Sequence, residues 1–303
     1  MSRFRLAFVG LPLAALLLHE DGHEITFAGI CRSRAPGTRR LTRIVGERRV
    51  GILPDLTDPR TQEAIAREQP SLLVSWFWVR NIPRSLRERF PMGAIGVHPS
   101  LLPRHRGPDP FFWAIERGDL VTGVTAHRLD DAYDTGPILG RRELRVDGAW
   151  NAWTLAKRLD RPSLSLLRET VKAFAVGAPP REDPQDEAAA TLAPEVEEGL
   201  LELDWSRPTE EILRRIRAAG PWPGAYTYLG DELVTVTRAR RAHAFPAALV
   251  AGEAVVQRGV AAPEVLVRTG DGAVVLEEGR SEEDAPLHAA ALAETMEKAK
   301  RLR

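Results

Sequence analysis

The chain has 303 residues, with 42 Lys and Arg against 42 Asp and Glu, and therefore a formal net charge of zero. Such a balance argues against a general nucleic-acid coat protein or a polybasic membrane binder, although it leaves a local basic patch open. Cys31 is the only cysteine, which excludes an internal disulfide framework and favours a reducing, cytoplasmic setting. At roughly 150 residues per domain, this length predicts two domains.

The first 178 residues alternate between apolar strands and helices. FRLAFVG predicts a buried strand, LPLAALLLHEDGH a helix with Pro12 in its first turn and Gly22 at its end, and EITFAGIC a second strand. A strand, a helix and a strand joined by short connections form a βαβ unit with parallel strands. The same alternation continues through SLLVSWFWV, GAIGVHPS and the long helical stretch that ends near residue 178. We therefore predict an α/β, Rossmann-like and mostly parallel sheet domain over residues 1–178.

The composition changes after residue 178. Residues 179–200 are rich in Pro, Glu, Asp and Ala and lack periodic apolar spacing, which predicts a linker. Short strand-like segments punctuated by Gly occupy residues 201–283 and favour a small, OB-like β-barrel domain. Residues 284–303 are predicted to form a C-terminal helix. Since no segment approaches the ~18 consecutive apolar residues of a membrane span, we expect no membrane partner.

Two short motifs imitate catalytic sites. His19 and His23 formally match the HExxH pattern of zinc metalloproteases, which requires both histidines on one continuous helix. Gly22 lies inside the motif, so we predict solvated histidines at a helix end and no metal. Asp134 begins a single Asp-Thr-Gly triplet, whereas aspartic proteases pair two carboxylates at one site.

A third constellation is more specific. His98 follows an apolar strand at its carboxyl end, where open α/β sheets bind ligands. Asp134 lies in a later loop. A carboxylate beside an imidazole fixes the tautomer of the ring and raises its basicity. His98 and Asp134 are therefore candidates for a general-base pair; the alternative is a surface histidine and a turn-forming aspartate.

The same segment resembles a known family. HPSLLPRHRG, which begins at His98, and DTGPIL, which begins at Asp134, closely resemble the formyltransferase family that uses 10-formyltetrahydrofolate. The segment LELDWSRPTEEILRRIRAAGPWPGAYTYLGDELVTV resembles the C-terminal domain of methionyl-tRNA formyltransferases, with Arg217 and residues 221–224 in its Arg and PWPG positions. The resemblance covers most of residues 4–280.

This resemblance implies an active site of an Asn, a His and an Asp. The His corresponds to His98 and the Asp to Asp134, but the Asn position, two residues before the His, is Gly96. The family Asn polarises the formyl carbonyl, and loss of one such donor typically costs about 10²–10³ in rate. We therefore expect His98 and Asp134 to support proton transfer, with oxyanion stabilisation supplied by a backbone N–H, a water or another side chain.

The resemblance also implies a folate co-substrate, bound by two loops. These correspond to residues 76–83, where an aromatic side chain stacks on the pterin or belongs to the core, and to residues 129–134. The usual Gly-Leu before the Asp is Ala-Tyr here, which predicts a pocket of different shape. The candidate folate-binding residues are Trp78, Val79, Arg80, Ile82, Leu129, Asp131, Ala132 and Tyr133.

The formyl acceptor implied by the resemblance is an amine, with an aminoacyl-tRNA as one candidate. Residues 31–49 contain seven Arg and a single acidic residue, Glu47, which fits either phosphate contacts or a solvated basic face. Two alternatives remain open. One branch of the family also lacks the Asn and transfers the formyl group to water, as a 10-formyltetrahydrofolate hydrolase. The other alternative is a catalytically impaired relative that binds folate or tRNA.

Overall fold

The computed structural model describes residues 3–230, 232–258 and 263–301. The chain forms two compact units. The first contains residues up to Pro110, Val121–Arg145 and Lys157–Pro194. The second contains Phe111–Leu120, Val146–Ala156 and the residues from Glu195 onward. Both units are therefore built from more than one stretch of the chain.

A seven-stranded sheet forms the centre of the first unit. Its strands are β1 (Arg5–Gly10), β2 (Glu24–Ile30), β3 (Val50–Ile52), β4 (Leu72–Trp76), β5 (Ala94–His98), β6 (Val121–Arg128) and β7 (Ile138–Arg145). The strand order is β3-β2-β1-β4-β5-β6-β7. The pairs β5–β6 and β6–β7 are antiparallel, and the other pairs are parallel. The predicted Rossmann-like, mostly parallel sheet is confirmed. The short edge strand β3 was not predicted, because its three residues follow an arginine-rich segment without an apolar run.

The helices follow the predicted alternation. They are α1 (Pro12–Glu20), α2 (Thr38–Val45), α3 (Pro59–Ala66), α4 (Arg84–Arg87), α5 (Pro110–Glu116), α6 (Ala152–Ala175), α7 (Thr209–Ala219) and α8 (Ala289–Arg301). α1 ends before Gly22, which adopts a left-handed φ of 93°. His19 therefore lies on the helix and His23 beyond it, so the two histidines of the HExxH pattern do not share a helical face. No helix among the described residues is long and apolar enough to cross a membrane.

The strand order reverses beside β1, which lies between β2 and β4. Gly10 ends β1 with a φ of 140°, and a Cβ atom there would collide with the backbone carbonyl of Trp76 at the end of β4. Only glycine permits this close approach. Because ligands bind outside the carboxyl ends of strands at such a reversal, Gly10 helps to form the edge at which His98 ends β5.

Residues 183–193, here called the strap, lie within the predicted linker. Asp183 and Ile138 exchange two backbone hydrogen bonds of 2.7 and 2.9 Å. Further along, the Arg106 N–H donates to the Thr191 carbonyl at 2.9 Å, and its carbonyl accepts from Ala193 at 2.7 Å. Pairing through backbone atoms requires no apolar periodicity, which is why the sequence pattern of this segment resembles that of a linker.

The second unit contains an antiparallel sheet. Its strands are β8 (Ala225–Leu229), β9 (Glu232–Arg241), β10 (Ala254–Arg258), β11 (Pro263–Arg268), β12 (Ala273–Arg280) and β13 (Pro286–His288). The order is β10-β11-β12-β9-β8, and β13 pairs with β12. The predicted all-β C-terminal domain is confirmed as an antiparallel sheet. The final helix begins at Ala289 rather than residue 284, because residues 286–288 pair with β12 first.

The contact at Gly10 gives a test of the fold. We expect Gly10→Ala to lower the free energy of unfolding by about 3 kcal/mol or more, because the new Cβ displaces the Trp76 carbonyl. Gly22→Ala is the matched control: Gly22 also has a positive φ, but no atom lies within 4 Å of its Cβ position. Its expected cost is about 1–2 kcal/mol, from the left-handed backbone alone. Urea unfolding followed by tryptophan fluorescence measures the free energy of unfolding of both variants. Equal losses of stability would contradict the close contact at Gly10.

Candidate active site

His98 and Asp134 lie against each other at the carboxyl end of β5. All five residues of β5 are buried, so the strand holds His98 rigidly. The Nδ1 atom of His98 lies 3.4 Å from Oδ2 of Asp134, and the side chains are 8% and 18% exposed, respectively. The other ring nitrogen, Nε2, lies 2.8 Å from the backbone carbonyl oxygen of His105. The structure thus brings together the two residues that the sequence pattern paired.

The Asp134 carboxylate also receives a backbone hydrogen bond. The Gly107 N–H donates to Oδ2 at 2.9 Å. Asp134 itself has a φ of 60°, a left-handed conformation that Asp tolerates better than most residues. Gly107 lies close to the strap, since a Cβ there would be 2.6 Å from the Ala193 carbonyl oxygen. The Asp134 carboxylate is therefore held by the loop that follows His98.

A second histidine faces the same carboxylate. His127 on β6 is 2% exposed, and its Nε2 atom lies 3.6 Å from Oδ1 of Asp134. Its Nδ1 lies 2.8 Å from the Arg128 carbonyl, so the neutral ring carries its hydrogen on Nδ1. Burial lowers the pKa of His127, against the raising effect of Asp134. The ring is therefore a neutral imidazole whose lone pair faces Asp134.

The sequence pattern does not single out His127. Its only signal is its place in β6, where alternation puts it on the same face as Thr125. Because β6 also carries Thr122, Thr125 and Arg128, one more polar residue in this strand does not indicate a site.

Gly96 lies between Ser75 of β4 and His127 of β6 in the strand register. A Cβ at Gly96 would be 3.7 Å from Nε2 of His127 and 3.0 Å from Cδ2 of Leu129. The position of the family Asn is thus adjacent to the His127 ring and covered by Leu129. A larger side chain at this position requires Leu129 to move.

Arg87 connects the two predicted folate loops. Its Nε donates to the Ile82 carbonyl at 3.0 Å and its Nη1 to the Leu129 carbonyl at 3.1 Å, and its Nη2 pairs with the Asp131 carboxylate. The side chain of Arg87 is 12% exposed. No sequence pattern indicates this role, because Arg87 belongs to a short helix with several other charges.

The predicted folate-binding residues fall into a group that is buried or half-buried and a group that is exposed. Ile82 is buried, and Trp78 and Leu129 pack half-buried against the same apolar cluster. The Nε1 atom of Trp78 is buried and has no hydrogen-bond partner among the described residues. The exposed members are Val79, Arg80, Asp131, Ala132 and Tyr133.

The neighbouring aromatic residue, Trp76, belongs to the core. It is 3% exposed and donates from Nε1 to Oγ of Ser163 at 2.7 Å. Of the two tryptophans in this loop, Trp78 is thus the one with an unused donor.

Arg106, in the segment HPSLLPRHRG, has its charge used inside the protein. It pairs with Glu187 at 2.8 Å and contacts Gln185, and its side chain is 7% exposed. Within the described ranges, no group of three or more His, Cys, Asp or Glu side chains has an arrangement that could hold a metal ion.

The chain is similar to known proteins along most of its length. A family model described as "Formyl transferase" matches residues 49–171, and one described as "Formyl transferase, C-terminal domain" matches residues 196–297. A methionyl-tRNA formyltransferase of Phenylobacterium zucineum is 34% identical over 301 residues, covering 93% of this chain and 94% of the relative. One from Myxococcus xanthus is 33% identical over 251 residues, covering 79% and 80%.

Solved structures share the fold. HypX from Aquifex aeolicus in complex with tetrahydrofolic acid aligns with a TM-score of 0.66 at 22% identity, covering 96% of this chain and 47% of that one. The sugar 3N-formyl transferase WlaRD aligns with a TM-score of 0.64 at 14% identity, covering 93% and 99%. The family models for both halves and the relative that matches almost end to end show that this chain belongs to the formyl transferase family.

Proposed function

We propose that this protein transfers the formyl group of 10-formyltetrahydrofolate to an amine. The observation that carries the proposal is the buried contact of His98 with Asp134, 3.4 Å apart at the carboxyl end of β5. The relatives named as methionyl-tRNA formyltransferases, and a fold neighbour solved with tetrahydrofolic acid, support this reaction.

In this reaction His98 moves a proton between two nitrogens. In the structure both ring nitrogens face acceptors, Nδ1 the Asp134 carboxylate at 3.4 Å and Nε2 the His105 carbonyl at 2.8 Å. When the amine binds, Nε2 turns from the His105 carbonyl towards the amine, and the ring, with its hydrogen on Nδ1, accepts the amine's proton there. Asp134 then stabilises the imidazolium charge. As the bond between the formyl carbon and N10 breaks, His98 returns the proton to N10.

The two loops joined by Arg87 are the proposed folate site. Their carbonyl groups at Ile82 and Leu129 are held by one guanidinium, so the loops present a fixed edge. The unpartnered Nε1 of Trp78 suits an acceptor atom of the pterin, and the ring provides an apolar face. The exposed members of the same loops then contact the outer part of the folate.

The proposed acceptor is an aminoacyl-tRNA. On the first unit, a basic strip of five exposed side chains suits phosphate contacts; the strip is Arg32, Arg34, Arg39, Arg43 and Arg48. In the second unit, by contrast, Arg215 and Arg240 pair with Glu116 and Glu264. The basic strip is therefore the better candidate for the tRNA contact.

A turnover assay tests the reaction. We expect the full chain to release tetrahydrofolate from 10-formyltetrahydrofolate only when aminoacylated initiator tRNA is present. His98→Ala removes the proton carrier and is expected to lower the rate by at least ~10². His243→Ala, at an exposed histidine in the second unit, is the control and is expected to keep the rate.

The remaining outcomes separate the alternatives. Release of tetrahydrofolate without tRNA indicates hydrolysis, which Gly96 favours because one hydrolytic branch also lacks the Asn. Folate binding without any release indicates a binding protein. A His98→Ala variant that turns over as fast as the parent contradicts the assignment of the site.

Gly96 gives a second prediction. Gly96→Asn combined with Leu129→Ala, which clears the space above the strand, restores an amide donor beside the site. We expect the rate to rise by up to ~10², since one oxyanion donor contributes about that much. Gly96→Ala with the same Leu129 change adds bulk but no donor, and is expected to give no gain. Equal rates for the two double variants, measured at saturating substrates, would mean that the missing donor does not limit the reaction.

The basic strip gives a third prediction. Arg39→Glu with Arg43→Glu reverses two charges on one face of α2, and we expect the KM for tRNA to rise at least tenfold and its salt dependence to flatten. Arg60→Glu with Arg67→Glu makes the same charge change at exposed positions near α3 and is expected to have a small effect. Similar rises for both pairs would indicate long-range repulsion instead of a contact at the strip.

A further inference from the structure

One side chain of the strap, that of Gln185, lies between the loop that follows His98 and the loop that contains Asp134. Gln185 donates from Nε2 to the backbone carbonyls of Asp134 and Gly136, both at 2.8 Å. Its Oε1 accepts from Nε and Nη2 of Arg106, at 3.1 and 2.8 Å. A single amide group thus joins the Asp134 loop to the loop that follows His98.

The orientation of this amide is determined by its partners. A guanidinium can only donate and a carbonyl can only accept, so a flipped amide would place its NH₂ against Arg106 and its oxygen against two carbonyls. All four hydrogen bonds form only in the orientation observed. Gln185 therefore provides a directional link that a charged or apolar side chain of the same length cannot make.

Arg106 is itself firmly held. It makes a bidentate pair with Glu187, and its backbone pairs with Thr191 and Ala193 of the strap. The next residue, Gly107, donates its N–H to the Asp134 carboxylate. The Asp134 backbone and carboxylate are thus tied to two consecutive residues of the same loop, one through Gln185 and one directly.

Asp134 needs such an external support. Its left-handed backbone conformation sets the direction of the carboxylate, and three residues before it in the loop are exposed. Inside the loop, Thr135 bonds to Asp130, but that bond does not fix the loop relative to His98. The two Nε2 bonds of Gln185 are side-chain contacts that lock the Asp134 backbone from outside the loop.

We propose that Gln185 is a positioning residue that holds the Asp134 carboxylate in register with the His98 imidazole. This inference rests on the proposed function of the pair. A misplacement of about 1 Å in such a site costs on the order of 10² in rate. Through Gln185 alone, the segment with the composition of a linker thus supports the active site.

Kinetics of two substitutions test the proposal. Gln185→Met keeps the length of the side chain and removes all four hydrogen bonds, and Gln185→Glu keeps the contact with Arg106 but sets a carboxylate against two carbonyls. We expect both to lower kcat by about 10–100-fold while KM for 10-formyltetrahydrofolate changes less than about threefold. Asp186→Asn, on the exposed neighbour that caps the next turn, is the control and is expected to leave kcat unchanged.

A second readout does not depend on turnover. In protein labelled with ¹⁵N-glycine, the amide proton of Gly107 reports its bond to Asp134 through its chemical shift and its exchange rate. We expect both Gln185 variants to shift this signal upfield and to speed exchange, and the Asp186 variant to leave it in place. If the parent protein shows no formyl transfer, the proposed function fails while this signal still decides the role of Gln185.

Two results would overturn the proposal. One is a kcat within about threefold of the parent in both folded Gln185 variants. The other is an unchanged Gly107 signal in either of them. If Gln185→Met does not fold, Gln185→Glu, which keeps the link to Arg106, carries the test alone.

Discussion

The contact between the half-buried carboxylate of Asp134 and the imidazole of His98 is the interaction on which the rest of the site depends. A carboxylate with little access to water must be compensated by donors or by positive charge. Here it is met by the Gly107 N–H at 2.9 Å and by the imidazole of His98 at 3.4 Å. His127 lies on a third side, with Nε2 3.6 Å from Oδ1, but as a neutral ring with its hydrogen on Nδ1 it gives the carboxylate no donor. The two donors come from β5 and from the loop that follows it, so the carboxylate is in place only when both are folded.

The sheet holds one part of this arrangement and the strap holds the other. His98 and His127 lie on buried strands with fixed register, β5 and β6. Asp134 lies in a partly exposed loop with a left-handed backbone, and its position is secured through Gln185 and Gly107. The imidazole and the carboxylate therefore meet only when the sheet and the strap are both in place.

Gly96 shows how one missing side chain changes the site. The residue lies between β4 and β6, and its Cβ position faces the neutral ring of His127 and the methyl group of Leu129. The resemblance to the formyltransferase family implies an Asn at this position, so the proposed reaction lacks one oxyanion donor here. The sequence does not reveal the neighbours of Gly96, because Leu129 and His127 lie next to it across the sheet and not along the chain.

The sequence by itself determined the α/β class of the first domain, the all-β class of the second, the family, and the His98 and Asp134 pair. These follow from local periodicity and from short motifs, which are contained in a few consecutive residues. Tertiary structure alone decided the roles of His127, Arg87 and Gln185, and the course of residues 183–193 along the first unit. Those contacts join residues far apart in the chain through single hydrogen bonds, and composition or spacing does not encode such bonds.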